Sequence, residues 1–399
     1  MSQAIISRRS GGSGYATITF NGVSAFNRSY ATSLDELVGG LAAARVKNYA
    51  LFGGGTTNGT NYTSKVYSYN YSLAYSTPTA LSVARWGLVA TRVGNYDYAL
   101  FGGGYNGNYS STVDAYNDSL TRSTPTALSV ARRTLAATTV GNYALFGGGY
   151  NGSFSSTVDA YNSSLTRSTP TALNTARYAL AAASTSNHAL FGGGGQESFE
   201  PDTVDVYDSN LTRSTSTYLS ISRSFLAATR GGRYDNYALF GGGKDIGGGQ
   251  YNRSNVDVYD SNLTRTNPTG LRQARYNLAA TSIGGYMNYA LFGGGSISAS
   301  SASSTVDAYD SNFTRSTEPD FGYAKQQLAA TNIGGYALFG GGFQRTVDVY
   351  EINNKVQVYP GTKYKLGSMA SESTSSTMQE IETTAPITGY IKIKDATIN

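Results

Sequence analysis

The chain has 399 residues, with 48 Gly, 33 Tyr, one Trp, one His and no Cys, and a formal net charge of +5. These counts exclude a disulfide scaffold, a thiolate metal site and a multi-histidine metal centre within one chain, and the charge is too mild to call for a nucleic-acid partner. Charged residues are 14% of the chain, against roughly 25% in an average soluble protein, and no apolar run approaches the ~20 residues of a membrane-spanning helix.

Met1 to Gly14 carries Arg8 and Arg9 with no apolar stretch behind them. No secretory signal peptide is expected there, and residues 1–14 read as an N-terminal arm. The region 15–360 is dominated by a repeat. Ala-Leu-Phe-Gly-Gly-Gly recurs with its Phe at Phe52, Phe101, Phe146, Phe191, Phe240, Phe292 and Phe339, in steps of 49, 45, 45, 49, 52 and 47 residues. A period in this range fits a propeller blade or a solenoid unit.

The third unit shows the order of elements. An apolar stretch, Leu135 to Val140, meets a turn at Gly141-Asn142, and Tyr143-Ala144-Leu145-Phe146 runs into the triple Gly. A polar loop follows, then Val158-Asp159-Ala160-Tyr161, a turn at Asn162-Ser163-Ser164, and a last strand read as Leu165 to Thr169. Pro170 to Arg177 leads to the next unit. Turn residues break every apolar run before it reaches helical length, and β-branched and aromatic residues are dense, so each unit predicts four short strands. Small Ala-rich inner strands let such units converge on an axis, and radial closure protects their edges. The triple Gly predicts close backbone approach or positive φ where the second strand ends.

Two readings of ring closure stand. Lys355 to Tyr359 could be the fourth strand of the last unit. Alternatively, Phe26-Asn27-Arg28-Ser29 precedes Leu41 at the spacing by which Leu165-Thr166-Arg167-Ser168 precedes Leu180, so the N-terminal segment could lock the ring; the spacing favours this second reading. Residues 361–399 then form a C-terminal extension, Ser/Thr-rich around Ser371 to Thr377 and strand-like at Ile387 to Ile393, expected to anchor or assemble.

The double Gly, the Val-Asp-x-Tyr stretch at Val113, Val158, Val204, Val256, Val306 and Val347, and the recurring Arg85, Arg132, Arg177, Arg223 and Arg275, with Lys325 in the sixth connection, resemble the kelch motif. Two departures are plain. The first unit has Val66-Tyr67-Ser68-Tyr69, and Arg122, Arg167, Arg213, Arg265 and Arg315 stand in the strand that carries the family's usual Trp. The WD dipeptide of the other common propeller is absent. The resemblance spans about residues 40 to 360. The fold class expected is therefore all-β, a seven-bladed kelch-like β-propeller with short N-terminal and C-terminal extensions. Such a fold leaves function open.

Few residues speak for catalysis. Kelch-fold copper radical oxidases need several His and a Cys. His188 stands in a slot held elsewhere by Tyr143, Tyr237 and Tyr289 and reads as a Tyr replacement. No Gly-x-Ser-x-Gly elbow is present. Asp114, Asp159, Asp205, Asp257, Asp307 and Asp348 recur in the repeat, so they read as structural, and Glu197, Glu200, Asp202 and Asp245 are too few to name a catalytic pair. No Gly-Lys-Ser/Thr follows the Gly runs, which removes a phosphate loop. The two Arg series could form a nucleic-acid stripe, but bonding to backbone carbonyls and neighbouring Asp is the simpler reading. No catalytic residue, metal site or cofactor is expected.

Binding is left, and loops carry it. The loops between second and third strands differ most between units. Their Tyr, Asn, Gly and Ser supply aromatic contact and adaptable hydrogen bonds, which suits stacking on sugar rings. The candidate ligand-binding residues are Tyr105, Asn106, Asn108, Tyr109, Tyr150, Asn151, Phe154, Phe199, Tyr251 and Asn252. Tyr-Ala-Leu-Phe-Gly-Gly-Gly propellers also resemble phage and prophage-encoded proteins. The expectation is a non-enzymatic virion surface protein, a fibre, spike or decoration, assembled in the host cytoplasm. It would display its loop face to host glycan or protein and contact other virion proteins through its termini, with no nucleic acid and no membrane insertion; a homo-oligomer is left open. Two alternatives stand: an intracellular protein–protein interaction propeller and a polysaccharide-acting enzyme.

Overall fold

Tyr-Ala-Leu-Phe-Gly is a strand in the repeat units because its alternating side chains meet two different neighbours. In the computed structural model, Phe101 packs edge-on against Tyr116 of its own sheet at 5.8 Å, while Leu100 joins the cluster shared with Leu135, Ala144 and Phe146 of the next sheet. Both side chains are fully buried, worth about 1.5–3 kcal/mol each. The core thus lies between successive sheets. The structure describes residues 26–94, 96–196, 201–245, 251–283 and 288–352, together with the backbone of 4–7, 17–20, 364–365 and 380–381.

Seven four-stranded antiparallel sheets follow in sequence order. Blade three has the strands Ala136–Val140, Tyr143–Gly147, Val158–Tyr161 and Arg167–Ser168. Its register sets Phe146 opposite both Ala137 and Asp159. The first strand of each blade lies against the first strand of the next, and that of blade seven, Leu328–Ile333, lies against that of blade one, Ala42–Val46. The ring is a closed seven-bladed propeller. Among the described residues there is no α-helix, only a 3₁₀ turn at Arg233–Asp235.

Closure uses the N-terminal segment. Blade seven orders its strands Leu328–Ile333, Tyr336–Gly341, Val347–Ile352 and Phe26–Ala31. Arg28 bonds Asp348 at 2.8 Å, on the pattern of Arg213 with Asp205 at 2.9 Å in blade four. The segment 355–359 lies outside the described residues, as do 371–377 and 387–393. Contacts divide the chain into Arg28–Glu351 and a unit made of Met1–Asn27 with Ile352–Asn399, the division falling within the strands Phe26–Ala31 and Val347–Ile352. In that second unit Ala4–Ser7 pairs antiparallel with Thr17–Phe20, and Tyr364–Lys365 with Glu380–Ile381.

The fourth strand is shorter than the sequence predicts. It begins at Arg167, not Leu165, because Leu165 turns into the left-handed region with φ of 61°. Asn162 holds that turn by accepting the amides of Ser164 and Thr166 on its side-chain oxygen at 3.0 and 2.9 Å. The same turn recurs at Leu120, Leu211 and Leu263. It is an Asx turn, favoured where Asn or Asp precedes by three residues.

The repeated charges strap the connections. Arg132 is fully buried and bonds the carbonyls of Gly148 and Phe146 at 2.8 and 3.1 Å and Asp159 at 2.8 Å. Asp159 also accepts the amide of Ser129 at 2.9 Å. Burial pushes the Arg132 guanidinium below its usual pKa, against the raising effect of Asp159. Arg85–Asp114, Arg177–Asp205, Arg223–Asp257 and Arg275–Asp307 repeat the pair at 2.7–2.9 Å. In blade seven Lys325 stands in for Arg, 2.7 Å from Asp348.

Candidate functional site

The site grows out of the segment that follows each buried Arg. The chain there reads Arg85-Trp86-Gly87-Leu88, Arg132-Arg133-Thr134-Leu135, Arg177-Tyr178-Ala179-Leu180, Arg223-Ser224-Phe225-Leu226, Arg275-Tyr276-Asn277-Leu278 and Lys325-Gln326-Gln327-Leu328. The Arg and Leu anchors are buried. The two residues between them are held at the rim of the axial channel.

The first of the two pairs with the residue that opens the loop between second and third strands. Trp86 exchanges backbone bonds with Tyr105 at 3.0 and 2.9 Å, and Arg133 with Tyr150 at 3.0 and 2.9 Å. The second of the two makes a ring. Gly40 donates its amide to Gln327 at 2.8 Å, Gly87 to Gly40 at 3.0, Thr134 to Gly87 at 2.9, Ala179 to Thr134 at 3.0, Phe225 to Ala179 at 2.8, Asn277 to Phe225 at 2.9 and Gln327 to Asn277 at 3.1 Å. Seven backbone bonds therefore close a belt around the axis. All seven residues have left-handed φ, and Thr134, Ala179, Phe225, Asn277 and Gln327 are not Gly.

Above the belt lies a cavity of about 590 Å³, within the usual size range of ligand sites. Its wall includes Trp86, Arg133, Tyr150, Phe154, Tyr178 and Phe225. An arc of aromatic rings in successive contact borders part of it, from Tyr62 to Tyr276. Tyr62 meets Tyr105 at 6.3 Å, Tyr105 meets Tyr109 at 5.3, Tyr109 meets Tyr150 at 5.9, Tyr150 meets Phe154 at 5.6, Phe154 stacks on Tyr178 at 5.6, Tyr178 meets Phe225 at 5.7 and Phe225 meets Tyr276 at 6.4 Å. Arg133 sits among four of these faces, 5.1 Å from Trp86, 4.9 Å from Tyr105 and 5.9 Å from both Tyr109 and Tyr150. Lys244 lies 4.7 Å from Tyr276 and 5.2 Å from Phe225. Each such contact contributes about 0.5–1 kcal/mol at an exposed site. Among the described residues no Asp or Glu lines the cavity.

The fold is that of a propeller already seen in a solved structure. The chain is similar to the structure of YjhT, with a TM-score of 0.56 over 73% of this chain and 100% of that one, at 12% identity. At that identity the likeness shows the fold alone. No protein-family description matches the chain, and no curated protein matches it.

The sequence-predicted residues separate into two sets. Tyr105, Tyr109, Tyr150 and Phe154 belong to the aromatic arc. Asn106, Asn108 and Asn151 shape the loop tips: Asn106 donates its amide to the carbonyl of Asn108 at 3.1 Å, and the side-chain oxygen of Asn151 accepts the amide of Ser153 at 3.1 Å. Asn252 spends its side-chain amide on the carbonyl of Ile297 at 2.7 Å. Tyr251 is 66% exposed, with Arg253 6.0 Å from its ring. Phe199 lies outside the described residues. Trp86, Arg133, Tyr178, Phe225 and Tyr276 were not singled out by the sequence. The signal was the two-residue gap between the constant Arg and Leu, which is the most varied slot in an otherwise regular connection.

Proposed function

We propose that this chain is a non-enzymatic binding propeller that takes a carbohydrate in the cavity above the belt. The observation that carries it is the unbroken aromatic arc around a concave mouth with cations set into it. Flat faces stack on the C–H faces of sugar rings, and such aromatic residues contribute large contact at low entropic cost. The arc is asymmetric: blades two to five supply most of it, while the corresponding rim residues of blades seven and one are Gln326 and Gly39. A selective site needs that asymmetry.

The repeat pattern, with its buried Arg–Asp pair, supports membership of the kelch type. The resemblance of the repeat to phage and prophage proteins, and the loop composition, support a virion surface role. In that role the propeller is a fibre, spike or decoration protein that shows this mouth to host cell-surface glycan, with the termini toward other virion proteins.

The test is a screen of the full chain against an array of cell-surface oligosaccharides, repeated with Tyr178→Ala. Selective binding that falls at least tenfold in the variant supports the reading. Binding of peptides in place of sugars, or no loss in Tyr178→Ala, overturns it.

A further inference from the structure

The axial channel holds a second cavity, of about 190 Å³, toward the turns that join first and second strands. First-strand side chains line it, and the position paired with the Ala of Ala-Leu-Phe is where the repeat breaks. Thr139, Ser184, Ser282 and Asn332 occupy the position in four blades, and Arg45, Arg92 and Arg230 occupy it in the other three. The blade tolerates a small polar residue there, so the three cations are not required by blade geometry.

Carbonyls, the Tyr71 hydroxyl and the faces of Tyr71 and Tyr96 orient these guanidinium groups. Arg45 donates to the carbonyl of Lys47 at 3.0 Å and to the Tyr71 hydroxyl at 2.8 Å. Its guanidinium lies 4.6 Å from the Tyr96 ring, and that of Arg92 lies 4.0 Å from the same ring. Arg230 donates to the carbonyls of Ser184 and Thr185 at 3.2 and 2.8 Å, across the junction with the preceding blade. Among the described residues Arg92 makes one hydrogen bond, to the carbonyl of Gly94 at 3.3 Å, which leaves most of its five donors unspent.

The acid in the lining is Asp235. It forms no ion pair with these three Arg among the described residues, and its Oδ1 is buried without a hydrogen-bond partner. Burial raises the Asp235 carboxyl pKa, opposed by Arg230 and Arg92. Burial also lowers that of Arg230, and nearby Arg92 lowers it further. Three cations thus converge on one end of the channel with one carboxylate against them.

We propose that this cavity is an anion site in which Arg92, with Arg45 and Arg230, holds one oxyanion group, a sulfate, phosphate or carboxylate. Planar guanidinium forks suit such groups, and charge-assisted bonds are stronger than neutral ones. The volume equals that of about six waters at ~30 Å³ each, enough for a free tetrahedral anion or an acidic head carried by one sugar. This site lies at the other end of the channel from the aromatic mouth and stands without it.

The experiment is calorimetric titration of the full chain with sodium sulfate, sodium phosphate, sodium glucuronate and neutral glucose, at constant ionic strength. The expected result is saturable binding of at least one anion and none of glucose. Arg92→Gln weakens it about tenfold or more, Asp235→Asn tightens it, and Arg272→Gln, which removes the same charge from the outer surface, leaves it unchanged. Preference between the inorganic anions and glucuronate decides whether the acid is free or carried by a sugar. No saturable anion binding, glucose binding as tight as glucuronate, or equal affinity in Arg92→Gln overturns the proposal. If Arg92→Gln does not fold, Asp235→Asn decides: a loss of affinity there marks the cluster as structural.

Discussion

The amide of Gly40 donates to the carbonyl of Gln327 at 2.8 Å, a bond from the entry of blade one to the entry of blade seven. It completes a belt whose members all carry left-handed φ. For its five non-glycine members this backbone costs about 1–3 kcal/mol each, and such strain gathers at functional sites. Here it gathers at the floor of the aromatic mouth.

Thr134 carries two of these costs at once. It is β-branched at φ of 50°, and its Oγ1 is buried with no hydrogen-bond partner. Thr134→Gly should therefore stabilise the chain by about 1 kcal/mol, since Gly accepts positive φ without penalty. Urea unfolding measures this; a loss of stability would show that the threonine side chain matters more than the strain.

The triple Gly has separate duties. A Cβ on Gly102 would stand 2.7 Å from the Phe146 ring of the next blade. A Cβ on Gly103, at φ of +71°, would stand 2.6 Å from the carbonyl of Arg132. Gly102→Ala should cost about 1–3 kcal/mol by overpacking, and Gly103→Ala more, since a carbonyl cannot rotate away as a ring can. Thermal unfolding of the two variants side by side checks the order.

Asp159 is fully buried with Arg132 against it. Asp159→Ala leaves that guanidinium buried without its carboxylate, and breaking such a pair costs about 3–5 kcal/mol. Denaturant midpoints would register the loss. A change below about 1 kcal/mol would mean that the backbone carbonyls alone hold Arg132.

Alkaline pH tests the buried tyrosines. Tyr69, Tyr116, Tyr161, Tyr207, Tyr259, Tyr309 and Tyr350 are all raised above the ordinary phenol pKa, chiefly by burial. A group whose folded pKa is raised gives stability that is complete below its unfolded pKa and is lost as pH climbs through the folded one. Stability should thus hold below pH of about 10 and fall above it, each tyrosine contributing about 1.4 kcal/mol per pH unit. Unfolding free energies between pH 8 and 11, on the order of these reference values, would show the break or its absence.

The seven-fold architecture was legible because its signal is local. Tyr-Ala-Leu-Phe-Gly-Gly-Gly and Val-Asp-x-Tyr each fit within one strand and its turn. Half the mouth was legible too, since Tyr105, Tyr109, Tyr150 and Phe154 lie in visibly variable loops. Trp86, Tyr178, Phe225 and Tyr276 were hidden because they meet only when the ring closes, about one repeat apart in sequence. Leu165 read as strand because an apolar residue beside Thr and Arg looks like β alternation, and left-handed φ leaves no mark on composition. The cations Arg45, Arg92 and Arg230 interrupt inner strands of small residues, yet their convergence on the axis is a property of the closed ring.

The central claim is that the aromatic mouth is the binding surface, and Trp86 reports on it directly. It is the chain's one tryptophan, it lines the cavity, and Arg133 lies 5.1 Å from its ring. The measurement is Trp86 emission during titration with the oligosaccharide that binds best on an array. The account predicts a saturable change in emission, at the affinity found by calorimetry, that disappears in Tyr178→Ala. Binding seen by calorimetry with Trp86 emission unchanged would place the ligand elsewhere and contradict it.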